Sequence, residues 1–220
     1  MKNLKSQLAI NGGKATVVNE LVPDSTLGKD ESLALDRVLG SGSLSGFYGN
    51  WGEEFLGGKE VRAFEEAWAT KFNVPHSVSV NSASSGLNAS MGAIGISPGD
   101  EVIVPPFTMS ATVMAPLIYG GIPVFVDIEP DTFCLNIEAV RAAITPKTKA
   151  ILSVNLFGHP ARLIELSKLA KENGLFLIED NAQGPLASEG DVLAGTAGDI
   201  GIFSLNYHKH IHSGEGGMCV

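Results

Sequence analysis

Residues 98–128 read PGDEVIVPPFTMSATVMAPLIYGGIPVFVDI, and this stretch decides the fold. After a Pro-Gly-Asp turn, the apolar run of residues 101–104 predicts a buried strand that ends at a proline pair. Residues 110–119 predict a helix, and a Gly-Gly pair leads into a second predicted strand, residues 123–127. Two strands joined through a helix are typical of a parallel crossover unit.

The same alternation continues on both sides of this unit. Short apolar runs bounded by turn residues predict further strands over residues 77–81, 150–156 and 175–178. Apolar side chains at helical spacing predict helices over residues 59–72, from Leu87 to Ile94, within residues 131–144, and from Pro160 to Gly174. The pattern indicates an α/β fold in which helices cover both faces of a mostly parallel sheet.

Residues 1–58 differ from the rest because they are rich in glycine and serine. A helix is predicted over residues 31–38, and the glycines that follow it predict loops. We therefore expect an N-terminal arm, residues 1–58, followed by one α/β domain, residues 59–220. Phe47 and Trp51 of this arm are interpreted either as parts of a linker or as rings that pack on a partner or over a pocket.

The composition is that of a globular protein, with 44% apolar and 18% charged residues. A formal net charge of −9, without a local Lys/Arg cluster, argues against binding to nucleic acid or to an anionic membrane. Cys134 and Cys219 match no metal-ligand spacing and are interpreted as buried thiols of a reducing compartment. No apolar run reaches the length of a membrane span or leader, so we expect a cytoplasmic protein.

Polar side chains follow several predicted strands, at the edge where such sheets bind ligands. They are Ser82 to Ser85, Thr108, Asn155, Asp180 and Gln183. The serine turn opens a helix, so it predicts either an anion site made of backbone N–H groups or a simple N-cap by Ser82 or Ser84. Asp180 follows a buried strand, where an unpaired carboxylate is costly, and it predicts either a cationic partner or an exposed cap of the next turn.

Residues 203–217 read FSLNYHKHIHSGEGG, and two interpretations of this stretch compete. Lys209 could be a nucleophilic amine in a pocket. Alternatively, His208, His210 and His212 could alternate along one strand face as ligands of zinc or nickel. The histidines have no acidic or cysteine partner nearby in the sequence, so we expect no metal.

The lysine, unlike the histidines, has chemical partners elsewhere in the chain. Pyridoxal phosphate needs an amine that forms an imine, a carboxylate that keeps its pyridine nitrogen protonated, and a cradle for its phosphate. Lys209 supplies the amine and Asp180 the carboxylate, while Ser204 and the serine turn supply the cradle. Pyridoxal phosphate is therefore the expected cofactor.

Five ordered blocks of the sequence resemble the DegT/DnrJ/StrS sugar aminotransferases, which use pyridoxal phosphate and have the aspartate-aminotransferase fold. The blocks are residues 98–105, 123–128, 178–183, 198–201 and 203–217. The resemblance runs from about Leu8 to the last residue and implies the large cofactor-binding domain of that fold.

The resemblance also implies roles for single residues. Lys209 matches the catalytic lysine that forms the Schiff base, and Asp180 matches the partner of the pyridine nitrogen. Gln183 matches the residue near the phenolic oxygen of the cofactor, and Ser204 matches a phosphate ligand.

Three further positions of the family motif carry small or flexible side chains here. Ala83 and Ser84 stand where the family cradles the phosphate with backbone amides and a hydroxyl. Met109 stands where family members often place an aromatic ring over the cofactor. A thioether can cover a ring face, but Phe107 could take that place instead, and both assignments stay open.

The implied activity is transfer of an amino group from L-glutamate or L-glutamine to a keto-sugar or keto-cyclitol, for surface polysaccharides or secondary metabolites. The family acts as homodimers with active sites at the subunit interface. A sister activity is sugar dehydration, in which a histidine replaces the lysine. The Ser204 to Lys209 spacing and the Gly-Glu-Gly-Gly run keep Lys209 in register and favour the aminotransferase. An inactive or metal-binding fragment is the remaining alternative, since residues 216–220 read as the start of a strand and the family's small C-terminal domain is absent.

Overall fold

The computed structural model describes residues 8–18, 26–46, 49, 51–52 and 55–220. The chain divides into two compact units, Met1–Gly46 and Phe47–Val220. In the first unit, helix α1 spans Lys29–Gly40, as the sequence predicts, and the Glu31 carboxylate accepts the Gly28 N–H at 2.7 Å at its start.

Seven strands form one sheet within the described part of the second unit. The strands are β1 (Val78–Val80), β2 (Glu101–Val104), β3 (Ile122–Phe125), β4 (Thr148–Val154), β5 (Phe176–Asp180), β8 (Ile200–Ser204) and β9 (Gly217–Cys219), and a separate hairpin joins β6 (Ser188–Glu189) to β7 (Val192–Leu193). Their order is β1-β9-β8-β5-β4-β2-β3. Strand β9 runs antiparallel to β1 and β8, and the other four pairings are parallel, so the predicted mostly parallel sheet is confirmed.

Helices cover both faces of this sheet. They are α2 (Lys59–Phe72), α3 (Ala83–Ala93), α4 (Ser110–Ile118), α5 (Ile137–Ala143) and α6 (Leu163–Asn173). Alternate side chains of a strand point to opposite faces. Val102 of β2 accordingly joins the buried cluster with α3 and α4, whereas its neighbour Ile103 joins the cluster with α5 and α6. Trp68 of α2 packs edge to face on Phe203 of β8 at 5.2 Å, which closes a third cluster.

One helix start differs from the prediction. The sequence places Pro160 at the start of a helix, but α6 begins at Leu163, after Arg162 in the left-handed region at φ 47°. The Ala161 N–H donates to Asn155 Oδ1 at 3.0 Å, so this segment is held by a buried side chain instead of a helical turn. The β6–β7 hairpin was not predicted.

The structure also bears on the expectations for the two cysteines, for membrane spans and for the aromatic rings of the arm. Cys134 is buried and Cys219 is only partly so, and both thiols are free. Burial raises the pKa of the Cys219 thiol to about 11. No helix among the described residues is long and apolar enough to cross a membrane. Phe47 lies outside the described residues, while Trp51 is exposed and packs on Phe55, with ring centroids 4.2 Å apart.

We expect Gly201→Ala to destabilise the fold. A Cβ at this position in β8 would lie 1.9 Å from the carbonyl oxygen of Gly195. A backbone atom cannot move aside as a side-chain tip can, and overpacking costs about 1–3 kcal/mol. Urea denaturation followed by circular dichroism should show a lower midpoint than for Gly52→Ala, because a Cβ at Gly52 meets no described atom within 4 Å. Equal midpoints for the two variants would contradict this close packing.

Candidate active site

A cleft of about 340 Å³ opens at the carboxyl ends of β5 and β8. Parallel α/β sheets bind ligands at this edge. All seven residues expected to hold the cofactor line the cleft: Ala83, Ser84, Met109, Asp180, Gln183, Ser204 and Lys209. The chain segments that carry them are far apart in sequence, so the fold brings the predicted residues together.

The first wall of the cleft is the start of α3. Ser82 is the N-cap, and its hydroxyl accepts the Ser85 N–H at 3.1 Å. The N–H groups of Ala83 and Ser84 have no hydrogen-bond partner within the part of the chain that the structure describes. They lie at the positive end of the helix dipole, where an anion is stabilised. Ser82 therefore caps the helix while the next two amides stay available to a ligand.

Glycine holds this helix start against the end of the sheet. A Cβ on Gly217 of β9 would lie 2.7 Å from the carbonyl carbon of Ser82. A Cβ on Gly86 of α3 would lie 3.0 Å from the Cys219 sulfur and 3.1 Å from Ile202. The close approach of α3 to β8 and β9 thus requires glycine on both sides, and it brings the unpartnered amides next to the hairpin that follows β8.

The second wall is Asp180, the last residue of β5, which is 5% exposed. Thr112 Oγ1 donates to Asp180 Oδ2 at 2.8 Å, and the Ala182 N–H donates to Oδ1 at 3.2 Å. No ion pair with this carboxylate occurs within the described residues. Burial raises the pKa of Asp180, against the smaller opposing effects of Thr112, Ala182 and the charge of Lys209. The carboxylate is buried without a bonded cation, so a cationic ligand would offset the free-energy cost of its desolvation.

A buried polar network lies behind Asp180. The carboxylate of Glu179 is fully buried and accepts the N–H groups of Gly195, Ala197 and Gly198 at 2.7, 2.7 and 2.9 Å. Asn155 Nδ2 donates to Glu179 Oε2 at 3.2 Å and to Asn181 Oδ1 at 3.1 Å. Asn155 does not line the cleft, although the sequence places it at the ligand-binding edge. Its contacts stabilise the strand end that carries Asp180.

The third wall is the loop from β8 to β9, whose tip carries Lys209. The Leu205 N–H donates to the Gly216 carbonyl at 2.9 Å, and the Tyr207 N–H donates to the Gly214 carbonyl at 2.8 Å, so the loop narrows like a hairpin. The Lys209 N–H donates to the Asn206 carbonyl at 2.9 Å, which fixes the lysine backbone at the turn. Lys209 is half-buried and lines the cleft.

The histidines of this loop do not alternate along a strand. Strand β8 ends at Ser204, and residues 207–211 form turns and bends. His208 and His210 are exposed, and His212 packs edge to face on Tyr207 at 5.2 Å. Among the described residues no group of three His, Cys, Asp or Glu side chains is placed to hold a metal ion. The geometry that the zinc or nickel interpretation requires is therefore missing from this loop.

Gln183 and Met109 also line the cleft. Gln183 Oε1 accepts the Phe157 N–H at 2.7 Å, which leaves its amide N–H groups as donors. Met109, the N-cap residue of α4, is 67% exposed and lines the cleft. Phe107 does not line it, and its ring packs on Phe133 at 5.6 Å.

Three residues of the site were not assigned from the sequence. Thr112 bonds to Asp180, and Asn206 and Glu215 line the cleft and bond to each other, Nδ2 to Oε1, at 2.9 Å. Thr112, in the first turn of α4, lies four positions after Thr108, which precedes the helix, and this is the spacing of neighbours along a helix face. That spacing was the available signal, and it points to a hydrogen-bonded pair.

The fold is that of a known class of proteins. The large-domain fold is that of the pyridoxal-phosphate enzymes of the aspartate-aminotransferase type. The chain belongs to the DegT/DnrJ/EryC1/StrS aminotransferase family, whose model matches residues 49–220. It is 40% identical, over 85% of its length and 43% of the relative's, to an L-glutamine:2-deoxy-scyllo-inosose aminotransferase of Streptomyces kanamyceticus.

Solved structures agree with this membership. An aminotransferase from Psychrobacter cryohalolentis superposes with a TM-score of 0.82 at 31% identity, over 90% of this chain and 48% of that one. An E. coli GDP-4-keto-6-deoxy-D-mannose-3-dehydratase with bound hydrated PLP superposes with a TM-score of 0.80 at 33% identity, over 90% and 49%. The chain spans about half the length of the curated relatives it matches.

We expect Asp180→Asn to stabilise the ligand-free protein at neutral pH. Burial raises the pKa of Asp180 in the folded state. The contribution of this carboxyl group to the free energy of unfolding is therefore fully present below its unfolded-state pKa. It is lost as the pH rises through its folded-state pKa. The variant should therefore unfold at a higher urea concentration than the wild type at neutral pH, and the difference should shrink as the pH falls.

The exposed Asp131→Asn serves as the control for this measurement. It shows what the loss of one exposed carboxylate alone does to the urea midpoint at each pH. A wild-type protein that is more stable than Asp180→Asn at neutral pH would contradict the unpaired burial of this carboxylate.

Proposed function

We propose that this chain binds pyridoxal phosphate and forms the cofactor-binding part of an aminotransferase. The observation that carries the proposal is the buried carboxylate of Asp180, which faces the same cleft as Lys209 and lacks a cationic partner within the described residues. A pyridine ring that is protonated at its nitrogen is a flat cation, and a buried carboxylate of this kind stabilises such a cation. Solved relatives of this fold carry the cofactor, one as hydrated PLP and another as PMP.

The other walls of the cleft fit the remaining parts of this cofactor. The unpartnered amides of Ala83 and Ser84, with the hydroxyls of Ser84 and Ser204, would hold the phosphate. The free N–H groups of Gln183 would donate to the phenolic oxygen. Met109 would cover one ring face, and its place in the cleft favours it over Phe107.

The residues of the cleft would then divide the reaction among them. The bound cofactor supplies an electron sink for the bond that breaks at the amino donor's α-carbon. Lys209 Nζ would hold the cofactor and, as a free amine, would accept the proton from that α-carbon. Asp180 keeps its charge against the pyridine nitrogen throughout, held by Thr112 and the Ala182 N–H. The N–H groups at the start of α3 fix the phosphate end.

For the whole protein we propose L-glutamate or L-glutamine as the amino donor and a keto-sugar or keto-cyclitol as the acceptor, in polysaccharide or secondary-metabolite biosynthesis. The name of the Streptomyces kanamyceticus relative supports glutamine and a cyclitol. Dehydration, the activity for which the E. coli relative is named, is the second candidate. The cleft favours amino transfer, because Lys209 lines it and neither His208 nor His210 does.

Three further proposals concern the protein's location, its oligomeric state and the boundary of its domain. We propose a cytoplasmic protein, since both thiols are free, and an arm of residues 1–58 before the domain of residues 59–220. We propose a homodimer because α4 and the edge strand β3 leave Met114, Ile118 and Phe125 more than half exposed. Apolar surface of this kind marks contact with a partner.

Visible absorption spectroscopy tests whether the protein binds pyridoxal phosphate through Lys209. Protein incubated with pyridoxal phosphate should develop a visible absorption band, and borohydride should fix the cofactor on the peptide that contains Lys209, as read by mass spectrometry. Lys209→Ala should lose both signals, while the exposed Lys147→Ala should keep them. A band that survives in Lys209→Ala, or no band in the wild type, would overturn the proposal.

The test of the reaction follows on the full-length protein. L-glutamate or L-glutamine should convert the visible band into that of the aminated cofactor, because the amino donor leaves its nitrogen on it. A stable visible band with both donors, combined with consumption of a keto-sugar, would favour the dehydratase.

A further inference from the structure

We propose that Thr112 and Thr108 form a directed hydrogen-bond relay: while the buried Asp180 is ionised, the Thr108 hydroxyl donates to Thr112 and can only accept hydrogen bonds in the cleft, and protonation of Asp180 frees it to donate there. Thr112 is a positioning residue in this relay, since it acts on a ligand only through its two neighbours. The importance of the relay for cofactor binding rests on the proposed function, whereas the relay itself does not.

The geometry of the relay is a short chain of three oxygens. Thr112, in the first turn of α4, is completely buried, and its Oγ1 lies 2.8 Å from Asp180 Oδ2. The same Oγ1 lies 2.8 Å from Thr108 Oγ1. Thr108 is only partly buried and lines the cleft. The three oxygens therefore connect a buried carboxylate to the surface of the cleft.

The number of hydroxyl hydrogens fixes the direction of the two hydrogen bonds in the relay. An ionised carboxylate only accepts hydrogen bonds, so the single hydroxyl hydrogen of Thr112 is directed at Asp180. Thr112 then has no hydrogen left for Thr108, and the Thr108 hydroxyl must donate to Thr112. With its hydrogen used inside the protein, Thr108 presents only lone pairs to the cleft while Asp180 is ionised.

Protonation of Asp180 allows the direction to reverse. The carboxylic acid gains one O–H donor. It can donate to Thr112, Thr112 can donate to Thr108, and Thr108 can then direct its own hydrogen into the cleft. A ligand group beside Thr108 thus meets only an acceptor while Asp180 is ionised, and it can meet a donor once Asp180 is protonated.

The groups around Asp180 make its charge state sensitive to this relay. Lys209 is the titratable group whose charge acts on Asp180, and it lowers the pKa of that carboxyl less than burial raises it. The adjacent carboxylate, Glu179, is bound to backbone amides of residues 195–198. Besides Thr112, the Ala182 N–H is the other donor to Asp180 among the described residues, at the longer distance of 3.2 Å. Thr112 is thus the main hydrogen bond that favours the ionised form.

The first experiment measures Asp180 in the cofactor-free protein by carbon-13 NMR of carboxyl groups, with its signal assigned by its loss in Asp180→Asn. Thr112→Val removes the hydroxyl at nearly constant volume and should raise the pKa of Asp180. Thr112→Ser keeps the hydroxyl and should restore the wild-type titration, which loss of packing alone would not do. If valine prevents folding, as judged by circular dichroism, Thr112→Ala takes its place.

The outer hydroxyl provides the matched comparison. Thr108→Val leaves the bond from Thr112 to Asp180 intact, so it should shift the Asp180 titration less than Thr112→Val does. Equal titration of Asp180 in the wild type and in Thr112→Val would overturn the relay, as would a failure of Thr112→Ser to restore it.

The second experiment measures the affinity for pyridoxal phosphate. Thr112→Val should weaken binding, because a raised pKa of Asp180 leaves less of the ionised form that favours a cationic ligand. Thr112→Ser should bind as the wild type does. A wild-type protein that binds no cofactor would end the proposed function while the NMR result still decides the relay. Wild-type binding with an unchanged titration in Thr112→Val would end the relay alone.

Discussion

Two adjacent carboxylates are buried at the end of β5, and the structure around the cleft is organised by the different ways in which they are stabilised. Glu179 accepts hydrogen bonds from three backbone N–H groups and an asparagine amide, which makes it part of the scaffold. Asp180, on the opposite face of the strand, has one short hydrogen bond from Thr112 and a longer one from Ala182. The first carboxylate stabilises the strand end, and the second borders the cleft without a bonded cation among the described residues.

The rest of the cleft depends on close contacts between backbone segments. Glycine at positions 86 and 217 lets the start of α3 lie directly on β8 and β9, since a Cβ at either place would meet atoms within about 3 Å. The same contact brings the amides of Ala83 and Ser84 beside the loop that carries Lys209. The anion site and the amine are therefore placed by one packing interaction, which explains why residues so far apart in sequence share a small cavity.

The sequence predicted the parts of this arrangement that depend on local patterns. The α/β class, the course of α2 and the gathering of Lys209, Asp180 and the serine turn follow from periodicity and from chemical complementarity. The start of α6 was missed because the Ala161 N–H bonds to Asn155, a contact that no local pattern reveals. The antiparallel β9 and the bond from Thr112 to Asp180 join segments distant in sequence, so only the folded chain shows them.

The position of β9 has a consequence for how the protein folds. Val80 of β1 pairs with Gly217 of β9, so a strand formed early in synthesis stays without its neighbour until the residues after the lysine loop have been made. Until then β1 and β8 expose open strand edges, which are prone to wrong association. Strand β9 joins them in the order β1-β9-β8, and its Gly217 lies against the backbone of Ser82 and Ala83 at the start of α3. The start of α3 therefore has its close contact with the sheet only when the residues that follow the lysine loop are present.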